Sequence, residues 1–311
     1  MITSSFKMKS TNGTQVHITC WMPEPETIVK SVIQIAHGMT ETGSRYERFA
    51  EALTAAGYAV YANDHLGHGL SAHDESELGH LGKGDMMNMV EDMAQLSQYI
   101  QEKHPHVPLI LFGHSMGSFL SQMYIALHGD MLQGVVLCGS NGPRGPELHA
   151  GVAISRLIAG THGWKHRSNF INNMAFGGFN RRFNPHKTSF DWLSRDEAEV
   201  QKYIDNPYCG YVCTVGFYNE FFKLLTQIHK PSVMAKIPKD LPILLIAGTM
   251  DPVGNFGKGV PHLADMYRDL GIKDVSLIMY PEARHELLND INRDEVTTDC
   301  IQWFDRIQAM S

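Results

Sequence analysis

Three residues stand out for their chemistry and for where they fall, each just after a short apolar run. Ser115 lies in Gly113-His114-Ser115-Met116-Gly117, between the apolar residues 108–112 and a helix-like run over 118–127. A strand, a G-x-S-x-G turn and a helix make the setting in which a serine hydroxyl is held clear of a sheet edge on a sharp bend. The flanking glycines carry no Cβ, so strand and helix can approach closely there. Asp251 follows the apolar run 241–247, and His285 follows 275–280. A serine hydroxyl is a weak nucleophile at neutral pH and needs an adjacent base. His285 is the candidate base and later proton donor. Asp251 is the candidate that holds its tautomer and stabilises the imidazolium. The chemistry expected is acyl transfer through a covalent intermediate on Ser115.

The oxyanion of such a reaction needs backbone donors. Met116, the residue after the serine, offers one N–H at a helix start, where donors lack intrahelical partners. His37-Gly38-Met39, directly after the apolar run 31–36, offers a second through Met39. Rivals for the base and the acid are weaker. His114 is pinned in the turn, His262 sits inside a helical pattern, and Asp274 lies at the start of a strand rather than its end. Asp64-His65-x-x-His68 has no third ligand cluster at metal-binding spacing and reads as a structural loop of satisfied histidines. Cys209 and Cys213 are four apart and lack a second pair, so no metal site is expected there. No cofactor is called for.

The elements that must position these residues follow from periodicity. Residues 4–9 and 16–21 read as strands joined at Asn12-Gly13, a strong hairpin signal. From residue 31 strands and helices alternate, which predicts a mostly parallel, doubly wound sheet with helices on both faces, an α/β architecture. The hairpin adds antiparallel strands at one edge. In such a sheet the loops after strand C-termini share one face, so Met39, Ser115, Asp251 and His285 should meet there. The alternation breaks at Asn141-Gly142-Pro143 and resumes near residue 236. The expected division is a core of residues 1–142 and 236–311, with residues 143–235 inserted as a helical cap over the sheet edge. Apolar helical pieces fall at 152–159 and 217–228, and a terminal helix carries Val296, Cys300, Trp303, Phe304 and Ile307 at helical spacing.

Composition narrows the class further. The chain of 311 residues is 43% apolar with a net charge of −7, and it has no basic run, so nucleic acid is not an expected partner. Of the five scattered cysteines, Cys138 and Cys300 sit in apolar or helical patterns and read as buried thiols. No apolar run reaches signal-peptide or membrane-spanning length, which reads as a cytoplasmic protein.

The order Ser, acid, His is that of the α/β-hydrolases. The chain resembles the monoacylglycerol lipase and lysophospholipase group of that superfamily. The likeness rests on His37-Gly38 followed by Glu41 and Arg45-Tyr46, and on Asp64-His65-x-Gly67-His68-Gly69-x-Ser71. It extends through Gly113-His114-Ser115-Met116-Gly117, Gly248-x-x-Asp251-Pro252-Val253 and Arg284-His285-Glu286-Leu287-Leu288-Asn289. It implies a serine ester hydrolase without cofactor and with a helical cap over an acyl channel. The substrates implied are single-chain lipid esters such as monoacylglycerols or lysophospholipids. It also implies transient contact of the cap with membrane surfaces, although residues 176–179 and 217–225 read first as pocket lining. Oligomeric state is left open. The alternatives are a short-chain carboxylesterase or thioesterase, an aminopeptidase anchoring its substrate amine on Glu197 and Glu199, and a ligand-binding protein on the same scaffold. Those two glutamates read first as exposed helix charges.

Overall fold

Asn12-Gly13 makes the turn of an antiparallel hairpin, with Gly13 at φ +90°, a conformation that glycine adopts without steric cost. Strands β1 (Ile2–Lys9) and β2 (Gln15–Met22) pair from Ile2↔Met22 to Lys9↔Gln15. The computed structural model describes residues 1–310; Ser311, the last residue of the expected core segment, lies outside the described residues.

The strands after the hairpin are β3 (Val32–Ala36), β4 (Ala59–Asn63), β5 (Leu109–His114), β6 (Gly134–Cys138), β7 (Ile243–Gly248) and β8 (Val275–Tyr280). They join the hairpin in one eight-stranded sheet of order β1-β2-β4-β3-β5-β6-β7-β8. β2 meets β4 antiparallel, and every pairing from β4 to β8 is parallel. β3 through β7 are buried at every position. That is why they read as continuous apolar runs rather than alternating ones: both faces are covered.

Helices supply the cover. On one face, α2 (Met86–Lys103), α3 (Met116–His128) and α9 (Gly259–Asp269) press Met89, Met93, Leu120 and Leu263 onto the sheet. On the other, α1 (Glu47–Ala55) and α10 (Arg293–Gln308) bury Phe49, Leu53, Trp303 and Phe304. Each such large apolar side chain contributes about 1.5–3 kcal/mol when taken from water. Asp85 caps α2 through a reciprocal capping box with Asn88, satisfying donors that the first turn leaves open.

Residues 143–235 connect β6 to β7. They carry α4 (Glu147–His162), α5 (Asn169–Phe176), α6 (Glu197–Asp205), α7 (Val215–Gln227) and the short α8 (Pro231–Met234). α4 runs well beyond its apolar piece at both ends. The connection contains one isolated bridge, Arg167↔Thr214, where the sequence pattern offers no strand. Gly151 leaves room for the Phe222 ring between α4 and α7, where a Cβ would come within 2.9 Å of it. Asn219 ties the same pair, donating to Ser155 Oγ at 2.7 Å. The segment lies against the C-terminal ends of the strands: Gly210 N–H donates to Thr40 O at 3.1 Å, and Glu286 N–H to Leu193 O at 2.7 Å. No helix of the described residues is long and apolar enough to cross a membrane.

Candidate active site

Sheet order reverses between β3 and β5. The chain leaves β3 toward β4 on one side, and from β5 onward it builds strands on the other. Loops diverge at such a switch point and leave a crevice beyond the strand ends. The loop carrying Met39 and the turn carrying Ser115 emerge side by side there, since Ala36 of β3 pairs with Gly113 of β5.

Ser115 sits at φ +52°, ψ −120°, a backbone conformation that costs a non-glycine residue about 1–3 kcal/mol. The surroundings hold it. Its N–H donates to Cys138 O at 2.9 Å, and its carbonyl accepts from the Ser118 N–H at 2.9 Å and the Ser118 hydroxyl at 2.6 Å. A Cβ at Gly117 would collide with the carbonyl of Ala36, and one at Gly113 with Ser121 Oγ. Both glycines of the motif are therefore required by close approach.

His285 Nε2 lies 2.8 Å from Ser115 Oγ, and its Nδ1 lies 3.0 Å from Asp251 Oδ2. Asp251 is fully buried and its other oxygen accepts from the Val253 N–H at 2.8 Å. The carboxylate thus fixes the proton on Nδ1 and leaves Nε2 free to accept from the serine. Gly139, at φ +59°, clears space for the imidazole: a Cβ there would stand 3.0 Å from His285 Cε1. Burial works to lower the His285 pKa, but Asp251, Glu286 and Glu41 override it and raise it above the ordinary 6.5.

The loop after β3 is braced from below. His37 Nε2 lies 2.9 Å from the His65 backbone N–H and can only accept from it. The ring proton must therefore be on Nδ1, which donates to Gly38 O at 2.7 Å. That carbonyl belongs to the same trans peptide as the Met39 N–H, and the two point in opposite directions. His37 thereby sets the direction of the Met39 donor. Met39 and Met116 both line the cavity at Ser115, and neither N–H has a hydrogen-bond acceptor among the described residues.

A buried charge network joins this loop to the histidine loop. Glu41 accepts from the Gly38 N–H, from Tyr46 Oη at 2.9 Å and from Arg45 at 2.6 Å. Arg45 also forks onto Glu286, the residue after His285, at 2.6 and 2.7 Å. Burial, the largest single influence, pushes both carboxyls up, but Arg45 and His114 together, with His37 at Glu41 and the Asn289 hydrogen bond at Glu286, outweigh it. Glu41 lies below its ordinary value, and Glu286 falls to about 2.

Sequence rivals fall outside this arrangement. Burial and the neighbouring His285 bring His114 down to about 4, so it is neutral near pH 7. His262 is exposed on α9, and Asp274 pairs with Arg306 at 2.6 Å. Two expectations need correction. The histidines of the 64–68 loop are not fully satisfied: His65 Nε2 and His68 Nε2 are buried without a partner among the described residues. Burial is the largest cause lowering both pKa values, so the two rings stay neutral. Glu199 is not an exposed helix charge. It is buried and engaged by Arg48 at 2.9 Å and Lys202 at 2.8 Å, whereas Glu197 is exposed and pairs with Lys187. Neither glutamate lines the cavity at Ser115, so the amine anchor imagined for a peptidase is missing from it. No group of three or more His, Cys, Asp or Glu among the described residues is placed to hold a metal ion.

Sequence reasoning passed over Trp192, whose ring lies 5.1 Å from that of His285. It also passed over the linking role of Arg45, which no local spacing to Glu286, 241 residues away, reveals. Two chambers meet at Ser115. One, of about 390 Å³, is lined by His285, by aromatic residues of the inserted segment such as Trp192, Phe190 and Tyr211, and by its polar groups. The other, of about 80 Å³, is lined by Met116, Phe119, Arg144 and apolar side chains of α4 and α7. The aromatic residues Phe176 and Phe179 line these chambers, as the sequence favours.

Residues 27–292 match the family model Hydrolase_4, described as serine aminopeptidase, S33. The chain is 28% identical to the monoglyceride lipase of Mus musculus over 295 residues, covering 93% of this chain and 86% of that protein. It is 26% identical to the monoacylglycerol lipase of Mycolicibacterium smegmatis over 304 residues, 96% of each. Among solved structures it superposes on a highly thermostable carboxyl esterase from Bacillus coagulans in complex with glycerol, with a TM-score of 0.91, 30% identity and 99% of each chain covered.

Proposed function

The chain belongs to the Hydrolase_4 family of α/β-hydrolases, and on that premise we propose that this carboxylic ester hydrolase cleaves esters bearing a single acyl chain, of the monoacylglycerol type, through an acyl-enzyme on Ser115. The observation that carries the reading is the unbroken relay from Ser115 Oγ through His285 to Asp251, at 2.8 and 3.0 Å, on a strained turn facing a chamber.

Ser115 Oγ attacks the ester carbonyl while its proton passes to His285 Nε2. The negative charge that grows on the carbonyl oxygen is taken by the N–H groups of Met39 and Met116. One such donor lowers the barrier by about 3 kcal/mol. The bond to the alcohol oxygen then breaks as His285 returns the proton to it, and the acyl group stays on Ser115. Water next gives a proton to His285, attacks the acyl carbon, and releases the carboxylic acid with Ser115 restored. Asp251 stabilises the imidazolium in both halves and is not itself protonated. Residues 143–235 act as the cap that closes the chambers, and their outer face is the part that would meet a lipid surface.

The test is steady-state hydrolysis of monoacylglycerols by wild type and Ser115→Ala. Turnover that falls about 10⁴-fold or more in the variant supports the reading. Undiminished turnover in the variant overturns it.

A further inference from the structure

Ser115, Ser118 and Gln122 follow one another at i, i+3 and i+7, so they share one face of α3. Gln122 is 2% exposed, and its amide is fully engaged. Its Nε2 donates to Ser140 Oγ at 2.9 Å and to Asn141 O at 3.2 Å. A backbone carbonyl can only accept, so this pair fixes which way the amide faces. Its Oε1 accepts from His229 Nε2 at 2.8 Å and from Tyr267 Oη at 3.4 Å.

Each of these contacts leads to a different part of the site. From Ser140 the path runs to the nucleophile. The Ser118 hydroxyl lies 2.8 Å from Ser140 Oγ and 2.6 Å from the Ser115 carbonyl oxygen. That carbonyl and the Met116 N–H belong to one trans peptide and point in opposite directions, so what fixes the carbonyl also aims the Met116 donor. From Asn141 the path runs to the acid. Asn141 Nδ2 donates to Val253 O at 2.8 Å, and the Val253 N–H donates to Asp251 at 2.8 Å. From Oε1 the path runs to the segment that connects β6 to β7, since His229 lies between α7 and α8. Burial and the neighbouring His262 bring the His229 pKa down to about 4, so its ring is a neutral donor near pH 7.

Resting on the Ser115 mechanism proposed above, we infer that Gln122 is a positioning residue of this site. Its amide holds the nucleophile turn, the acid loop and the exit of the connecting segment at His229 in one register. Gln122 lines neither chamber, so it acts through Ser140 and Asn141 rather than on the substrate. The strained backbone of Ser115 persists only while its surroundings over-determine it. Without the amide, Ser140, Asn141 and His229 lose a partner, and the peptide that carries the Met116 donor can relax.

The experiment measures kcat and KM for a monoacylglycerol, with each preparation normalised to the Ser115 that a fluorophosphonate ester titrates, so that unfolded enzyme is not counted. Gln122→Met keeps a similar volume without the amide. It should lower kcat about 10–100-fold with KM within about twofold, the signature of a misplaced transition-state contact. Ser118→Ala cuts the same path nearer the serine, so the double variant should lose less than the product of the two single losses. His229→Phe should lower kcat about threefold to tenfold by removing one donor. His229→Gln, whose Nε2 can stand in for that of the imidazole, should recover most of that loss. Where Gln122→Met does not fold, Ser140→Ala, which deletes a single oxygen, carries the same expectation. A kcat per titrated serine within about twofold of wild type in Gln122→Met or Ser140→Ala overturns the inference. So do losses that appear in KM as much as in kcat, or losses that multiply in the double variant. Equal rates for His229→Phe and His229→Gln overturn the link to the connecting segment. Loss of all turnover in Ser115→Ala alongside such results leaves the nucleophile standing and refutes only the role of Gln122. Full activity of Ser115→Ala refutes the mechanism beneath it.

Discussion

Arg45→Ala should destabilise the fold severely, with a pH signature that identifies the cause. The Arg45 guanidinium makes charge-assisted bonds of 2.6, 2.6 and 2.7 Å to Glu41 and Glu286, and the three side chains are 10%, 5% and 6% exposed. Removing the arginine leaves two carboxylates out of water with no counter-charge. Breaking a buried pair in this way costs about 3–5 kcal/mol. At about 2 °C per kcal/mol for a domain of this size, the melting temperature should fall by about 6–10 °C. In wild type both carboxyls titrate below the ordinary 4.5, Glu286 at about 2. Their contribution is therefore full above pH 4.5 and lost as pH falls toward 2. In the variant, burial without Arg45 raises the same carboxyls above 4.5, so protonation favours the folded form and stability recovers on acidification. Urea unfolding at pH 7 and at pH 4–5 should show the gap between the two proteins narrowing toward acid. Glu286→Gln in the Arg45→Ala background should restore part of the loss at pH 7. A gap below about 1 kcal/mol, or one that does not change with pH, would refute the network as a buried charge device.

The same electrostatics set the pH dependence of activity. His285 must be neutral to act as base, and its pKa is raised above 6.5, so the acid limb of kcat/KM should have its midpoint above that value. Glu286→Gln removes one of the charges that raise it and should shift the limb to lower pH; an unchanged limb contradicts the coupling. His37→Asn should lower kcat by about 10–100-fold with KM little changed, because a misdirected Met39 donor loses part of the value of an oxyanion contact. Equal effects on KM and kcat, or an unfolded variant, would mark His37 as structural only.

Much of this was legible because parallel-sheet geometry converts chain position into place. Ser115, Asp251 and His285 each follow an apolar run, and parallel pairing of β5 through β8 puts those ends on one edge. The glycines at 113 and 117 signalled close approach, and the structure shows the colliding atoms, Ser121 Oγ and the Ala36 carbonyl. What stayed hidden depends on side chains brought together across long separations. Glu199 looked exposed from its helical neighbours, yet Arg48, 151 residues earlier, turns it inward. Trp192 lies in a stretch with no regular periodicity, and only folding sets its ring on His285. The chambers at Ser115 are lined by residues far apart in the chain, Met39, Phe176 and His285 among them, which no local pattern encodes.

The central claim is that Ser115 carries the acyl group. Intact-mass spectrometry after brief exposure to a fluorophosphonate ester measures this directly, since the reagent bonds to an activated serine oxygen. Wild type should gain one phosphonyl group per chain, mapped to the peptide holding Ser115, and His285→Ala should react far more slowly. A wild-type protein that stays unmodified, or an adduct that persists in Ser115→Ala, would contradict the account.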